Sequence, residues 1–252
     1  MKISDVVTDT AKLYRRLFAR SFLAALLIFL PISLVGALPA LGVTSRVGGV
    51  VVVLLSTVLT FVGTLLVQGA LAHAVEDVHR DRSQAPIGSL YERTRGSLGS
   101  LVGGSILATL GIGLALLALA VPGLVLWTRW SLIVPVIVLE RIGARDAFRR
   151  SRVLVRGHGW RVFWLLVILF GLTNVLRFVG GVAFAFLPPF PQALIGSLVV
   201  QAIVTPFQAH ALTALYYRLR EPDRPVVPER PRRWESIWDE ERERARRRRD
   251  DP

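Results

Sequence analysis

The sequence predicts an all-α polytopic membrane protein with six transmembrane helices, amphipathic surface helices and both termini in the cytoplasm. Three observations predict it. The 252 residues are 52% hydrophobic with a mean hydropathy of +0.51, and the apolar residues gather in blocks of roughly 20, the length at which a helix crosses a bilayer core. Basic residues lie between the blocks. Of 31 Lys and Arg, all but Arg46, Arg129 and Arg177 fall in the N-terminal segment, in alternate connections or in the C-terminal tail, the partition that cytoplasmic retention of cationic loops produces. All 18 acidic residues fall on that same side. This combination excludes an ordinary soluble enzyme, a disordered chain and a disulfide-stapled module. With no Cys there is also no thiolate nucleophile and no cysteine-type metal site.

Residues 1–20 set Ile3, Val6, Val7, Leu13, Tyr14, Leu17 and Phe18 at helical spacing opposite Asp5, Asp9, Lys12, Arg16 and Arg20, the pattern of an interfacial helix lying among headgroups. The first span follows at 22–41. The charged stretch ahead of it is too long for a signal peptide, so an uncleaved helix is expected. The second span, 47–70, ends in the titratable run His73, Glu76, Asp77 and His79. His73 and Asp77 have the i, i+4 spacing of two metal ligands, yet polar residues at the foot of an emerging helix need no metal, and none is expected. A second surface helix starts at Ser89, with Glu92 completing a capping box.

The third span, 101–119, opens on the small-residue motif Gly99-x-x-x-Gly103. A turn at Pro122 and Gly123 leads into the fourth span, 123–139. The third surface helix, 144–156, sets Arg145, Arg149, Arg152 and Arg156 on one face and Ala147, Phe148, Ser151, Leu154 and Val155 on another. Gly157 and Gly159 end it, and Trp160 anchors the fifth span, 162–179, at the interface. The sixth span is 194–215. Residues 1–220 thus form one transmembrane domain. Residues 221–252 form a charged cytoplasmic tail with ten Arg and ten acidic residues, either solvated or a single salt-bridged helix.

Charges inside spans are costly and seldom idle. Arg129 and Arg177 both lie toward the outer leaflet with no acidic residue in any span to neutralise them, so they are candidates, with Arg46, to hold a lipid phosphate or another anion. Snorkelling beside Trp127 and Trp130 is the plainer alternative. The stripe Arg145, Arg149, Arg152 and Arg156 suggests contact with anionic phospholipid at about 1 kcal/mol per basic residue. Thr57, Thr60, Thr64 and Gln68 on the second span align with Ser197, Gln201, Thr205 and Gln208 on the sixth as a polar seam, serving either interhelical hydrogen bonding or a conduction path. No nucleophile elbow, phosphate-binding loop, zinc-protease motif or dinucleotide fingerprint occurs. No catalytic residue, metal or cofactor is therefore expected. Nucleic acid is not an expected partner, because no aromatic stacking platform accompanies the charge. A second copy or another membrane protein is left open.

The run Trp130 to Phe163, WSLIVPVIVLERIGARDAFRRSRVLVRGHGWRVF, resembles the W-x-L-x-x-P-x-x-x-x-E-x-x-G-x-x-x-A-x-x-R-S-x-x-L-x-x-G-x-x-W pattern of bacterial polytopic proteins related to the glycerophosphoryl diester phosphodiesterase membrane domain. The matching positions are Trp130, Leu132, Pro135, Glu140, Gly143, Ala147, Arg150, Ser151, Leu154, Gly157 and Trp160, and the end of the sixth span from Pro206 is also similar. The resemblance implies a six-helix protein of a bacterial cytoplasmic membrane. The soluble phosphodiesterase domain of some relatives, with its His-Arg-Gly motif, is absent, so enzyme activity is not carried over. An ion pair between Glu140 and Arg150 is expected at the junction of the fourth span and third surface helix. The expected role is structural or lipid-interacting, the alternative a transporter or channel component working along the polar seam.

Overall fold

A computed structural model describes residues 3–42, 44–82 and 85–221. The predicted tail beyond Glu221 therefore lies outside the described residues, as do the side chains of Ile3, Asp5 and Val7. The described residues form nine α-helices, one short 3-10 turn and no strand: α1 Ile3–Ala37, α2 Arg46–His79, α3 Ile87–Arg95, α4 Leu98–Ala118, α5 Ala120–Arg129, α6 Ile133–Glu140, α7 Ala144–Val155, α8 Gly159–Ala183 and α9 Pro189–Arg220, with the turn at Leu38–Leu41. Six segments are long and apolar enough to cross a membrane, α5 and α6 together making the fourth. Large apolar side chains such as Val50, Leu54, Leu110, Leu114, Phe170 and Phe178 are exposed around the outside. A surface so apolar is stable only against lipid. The chain is a multi-pass membrane protein.

The last helix organises the bundle. α9 packs along α1, α2 and α8 and meets α6 and α7 near its C-terminal end. Its Pro206 is buried in mid-helix, tolerated because neighbouring helices surround the lost backbone bond. At the polar end of the bundle, Val6, Leu13 and Leu17 of α1 join Val75 and Val78 of α2 and Leu215, Tyr216 and Tyr217 of α9 in one core. A second core, formed by Ala25, Phe29, Val67, Leu71, Ala202 and Ala209, lies between the same three helices.

Three sequence expectations change here. Residues 3–20 are continuous with the first span rather than a separate helix. They are the first half of α1, which no Pro or Gly interrupts before Pro31, and α9 packs along them with Val6, Leu13 and Leu17 buried. α9 also supplies Arg218, whose Nε donates to Asp9 Oδ2 at 2.7 Å. The second surface helix begins earlier than Ser89, behind Pro86; the Ser89 hydroxyl donates to the Pro86 carbonyl at 2.8 Å and caps nothing. Tyr91 of this helix donates to the Ala24 carbonyl at 2.8 Å, and burial pushes its phenol above the ordinary value. Finally, the turn between the third and fourth spans is the single extended residue Leu119 (φ −160°, ψ 130°). Pro122 falls in the first turn of α5, where its missing N–H costs nothing. Gly123 faces Leu116 so closely that a Cβ would stand 2.7 Å from the Leu116 backbone nitrogen.

Candidate anionic-lipid site

The site grows from a break in the fourth span. Pro135 sits in the first turn of α6; in a continuous helix its ring would collide with the Ser131 carbonyl and its nitrogen would donate nothing to it. The helix stops instead at Arg129 and restarts at Ile133. A break inside a membrane segment leaves polar backbone groups that must find partners within the protein. Ser151 of α7, fully buried, supplies two of them. Its hydroxyl donates to the Arg129 carbonyl at 2.7 Å and accepts from the Leu132 amide at 3.3 Å. Ser131 closes a third by donating to the Thr128 carbonyl at 3.0 Å.

α7 is thereby folded back onto the break, and the residue before Ser151 fixes its other side. Arg150 Nε lies 3.0 and 2.9 Å from the two carboxylate oxygens of Glu140, the expected ion pair. Tyr216 of α9 donates to Glu140 Oε1 at 3.0 Å, and Arg220 donates to the Tyr216 oxygen at 2.7 Å. Trp130 packs edge-on against Phe148 of α7, ring centroids 4.8 Å apart. Pro135, Glu140, Arg150, Ser151 and Trp130 are thus all structural: they hold a broken helix and an amphipathic helix together.

This docking creates a cleft between α5, the end of α7 and the start of α8, with a cavity of about 760 Å³. Apolar side chains form its walls, Val121, Leu124, Val125 and Phe163 among them, and three arginines stand on it: Arg129, Arg152 and Arg156. Among the described residues no carboxylate lines it. The three guanidinium groups make no hydrogen bond or ion pair among the described residues, in contrast to Arg150, Arg93 and Arg218, each of which has an acidic partner. Trp160, 71% exposed, stands at the edge. Gly157 (φ +83°) makes the left-handed turn that lets α8 start beside α7.

A protein-family model described as a domain of unknown function, DUF7847, matches residues 86–219, more than half of the chain. The chain belongs to that family. The DUF7847 region runs from the start of α3 nearly to the end of α9, so the break, the Ser151 contacts and the three-arginine cleft all lie inside it, while α1 and α2 precede it. No curated protein and no solved structure matches the chain.

Within the DUF7847 region, the predicted arginines separate. Arg129 does not share a cavity with Arg177 or Arg46: the first half of the broken span ends at Arg129, and α7 brings Arg152 and Arg156 to the same cleft. Of the remaining stripe, Arg145 and Arg149 are exposed away from the cleft, and Arg149 pairs with Asp146 at 3.1 Å. Arg177 lies instead on a second cavity of about 460 Å³ between α1, α2, α8 and α9, where its Nη2 donates to Gln201 Oε1 at 3.1 Å. Thr60 and Ser197 line the same cavity. The polar seam is therefore partial. Thr57 is exposed and bonds its own helix at the Val53 carbonyl, Thr205 is buried, and Gln208 turns to α8, donating to Thr173 at 3.2 Å. Neither Thr64 nor Gln68 lines this cavity. The Gly99 and Gly103 positions meet nothing within 4 Å, so that motif makes no internal contact. Gly143 precedes α7 without a side-chain cap.

The titratable run at the foot of α2 is an ion-pair network. Glu76 receives His73 at 3.2 Å, Arg80 at 3.0 Å and Arg93 at 3.1 Å, and Arg93 also reaches Asp77 at 3.4 Å. It ties α3 to α2. Sequence reasoning missed the buried pair of Ser21 Oγ and His210 Nε2, 2.9 Å apart, because only the packing of α1 on α9 joins residues so distant in the chain. It also missed the apolar walls of the cleft, which in sequence look like any lipid-facing residues.

Proposed function

We propose that this DUF7847 protein is a non-catalytic, lipid-interacting component of a bacterial cytoplasmic membrane, with both termini cytoplasmic, and that it holds anionic phospholipid in the α5–α7–α8 cleft. One observation carries the reading: three arginines with no partner among the described residues stand on an apolar cavity at the lipid-facing side of the bundle. An apolar wall with convergent cations is the chemistry that a lipid's chain and phosphate require together. The resemblance of the 130–163 run to the phosphodiesterase-associated membrane domain is part of the same proposal, since that run builds the cleft's floor.

Native mass spectrometry of the detergent-purified full chain tests the reading. The triple variant Arg129→Gln, Arg152→Gln, Arg156→Gln is expected to lose co-purified anionic lipid, while Arg145→Gln, Arg149→Gln keeps it. Equal lipid retention in both would overturn the proposal. A transport role along the seam is supported by one observation, the cavity shared by Thr60, Ser197, Gln201 and Arg177. In the Cys-free chain, that role predicts that a cysteine at Thr60 or Ser197 reacts with a water-soluble thiol reagent in intact membranes. Protection of both sites would dismiss it.

A further inference from the structure

We propose that the cleft selects a lipid whose headgroup ends in a phosphomonoester or diphosphate, carrying two or more negative charges, over lipids with a singly charged phosphodiester. This rests on the anionic-lipid reading above and narrows it to a ligand class.

Charge is the first argument. Three arginines that tie helices together have an acid beside them: Glu140 for Arg150, Glu76 and Asp77 for Arg93, and Asp9 for Arg218. The cleft instead holds three cations and, among the described residues, no lining carboxylate. One phosphodiester brings a single charge and two free oxygens, enough for one guanidinium fork, and leaves the charge of the other two arginines on the cleft unmatched beside an apolar wall. A phosphomonoester brings about −1.5 to −2 and three free oxygens, one oxygen for each arginine, and a diphosphate brings more.

Backbone geometry is the second argument. The first turn of α8, whose Gly159 and Trp160 line the cleft, has no side-chain cap, so its amides and the helix dipole add to the positive field. A Cβ built at Gly157 or Gly159 would meet nothing within 4 Å, so phosphate oxygens can approach the chain closely there. The walls settle the source. Val121, Leu124, Val125, Val153 and Phe163 offer a free phosphate nothing, whereas they suit an acyl or prenyl chain, and the cavity of about 760 Å³ is in the size range of pockets that take a whole ligand.

The test titrates the full chain in detergent with dioctanoyl phosphatidic acid and dioctanoyl phosphatidylglycerol, read by native mass spectrometry, with glycerol 3-phosphate as competitor. Phosphatidic acid is expected to bind at least tenfold tighter than phosphatidylglycerol. Arg152→Gln or Arg156→Gln should erode that preference to threefold or less, and glycerol 3-phosphate should not displace the lipid at equal concentration. Equal affinities, with both lost in the triple variant, would overturn the headgroup preference and leave the anionic-lipid reading standing. Binding of both lipids unchanged in the triple variant would end both. Displacement by glycerol 3-phosphate at equal concentration would overturn the lipid as ligand and make the site one for a soluble phosphate.

Discussion

Ser151 has one hydroxyl and uses it in both directions, giving its proton to the Arg129 carbonyl and taking the Leu132 amide. Replacing it by Ala leaves two buried backbone groups without partners, and each such loss costs about 1–3 kcal/mol. Ser151→Ala is therefore expected to lower the thermal unfolding midpoint in detergent, whereas Arg149→Gln, which removes an exposed ion pair, leaves it within error. Ser151, Glu140 and Arg150 were legible in the sequence because all three lie in the 130–163 run whose pattern resembles that of the membrane-domain family, and the Glu140–Arg150 pair spans the short link between α6 and α7. The meeting of Arg129 with Arg152 and Arg156 was not. The α7 periodicity places Arg152 and Arg156 on a common face, but only the break beside Pro135 and the return of α7 onto it decide what that face meets.

At the scale of elements, the link between α4 and α5 is one residue long, and it works because α5 can press its second half-turn against α4. Gly123→Val would place a Cβ 2.5 Å from Leu116 side-chain carbons and 2.7 Å from a backbone nitrogen that has no freedom to move. Overpacking of this kind costs about 1–3 kcal/mol, and the expected outcome is a lower unfolding midpoint in detergent. Gly113→Ala in the same hairpin meets nothing within 4 Å and gains up to about 1 kcal/mol of helix propensity, so it should be neutral or stabilising. The six spans were readable from length and hydropathy alone. Their ends were less so, since a Pro-Gly pair signals a turn equally well whether it lies in the link or just inside the next helix, and tertiary closeness decides between the two. The division of the fourth span was hidden for a similar reason: its composition is apolar throughout, and the partner that satisfies the broken backbone lies beyond it in α7.

For the whole molecule, the partition of charge read from the sequence carries the proposed orientation, and the Cys-free background allows a direct check. Single cysteines at Lys12 and Arg46, both exposed, should label differently with an impermeant thiol reagent: Arg46→Cys in intact cells, Lys12→Cys only after the membrane is opened. The reverse pattern would invert the proposed topology. The long-range closure of the bundle was beyond sequence reasoning, because nothing local connects Asp9 to Arg218, 209 residues apart. That closure has a consequence for biosynthesis. α1 leaves the ribosome first, yet the surface that buries Val6, Leu13 and Leu17 is completed only when α9 is made. Until then the nascent chain carries an apolar stripe and an unpaired carboxylate on its first helix, so chains that stall before α9 display a mark that cellular quality control can distinguish from the finished protein.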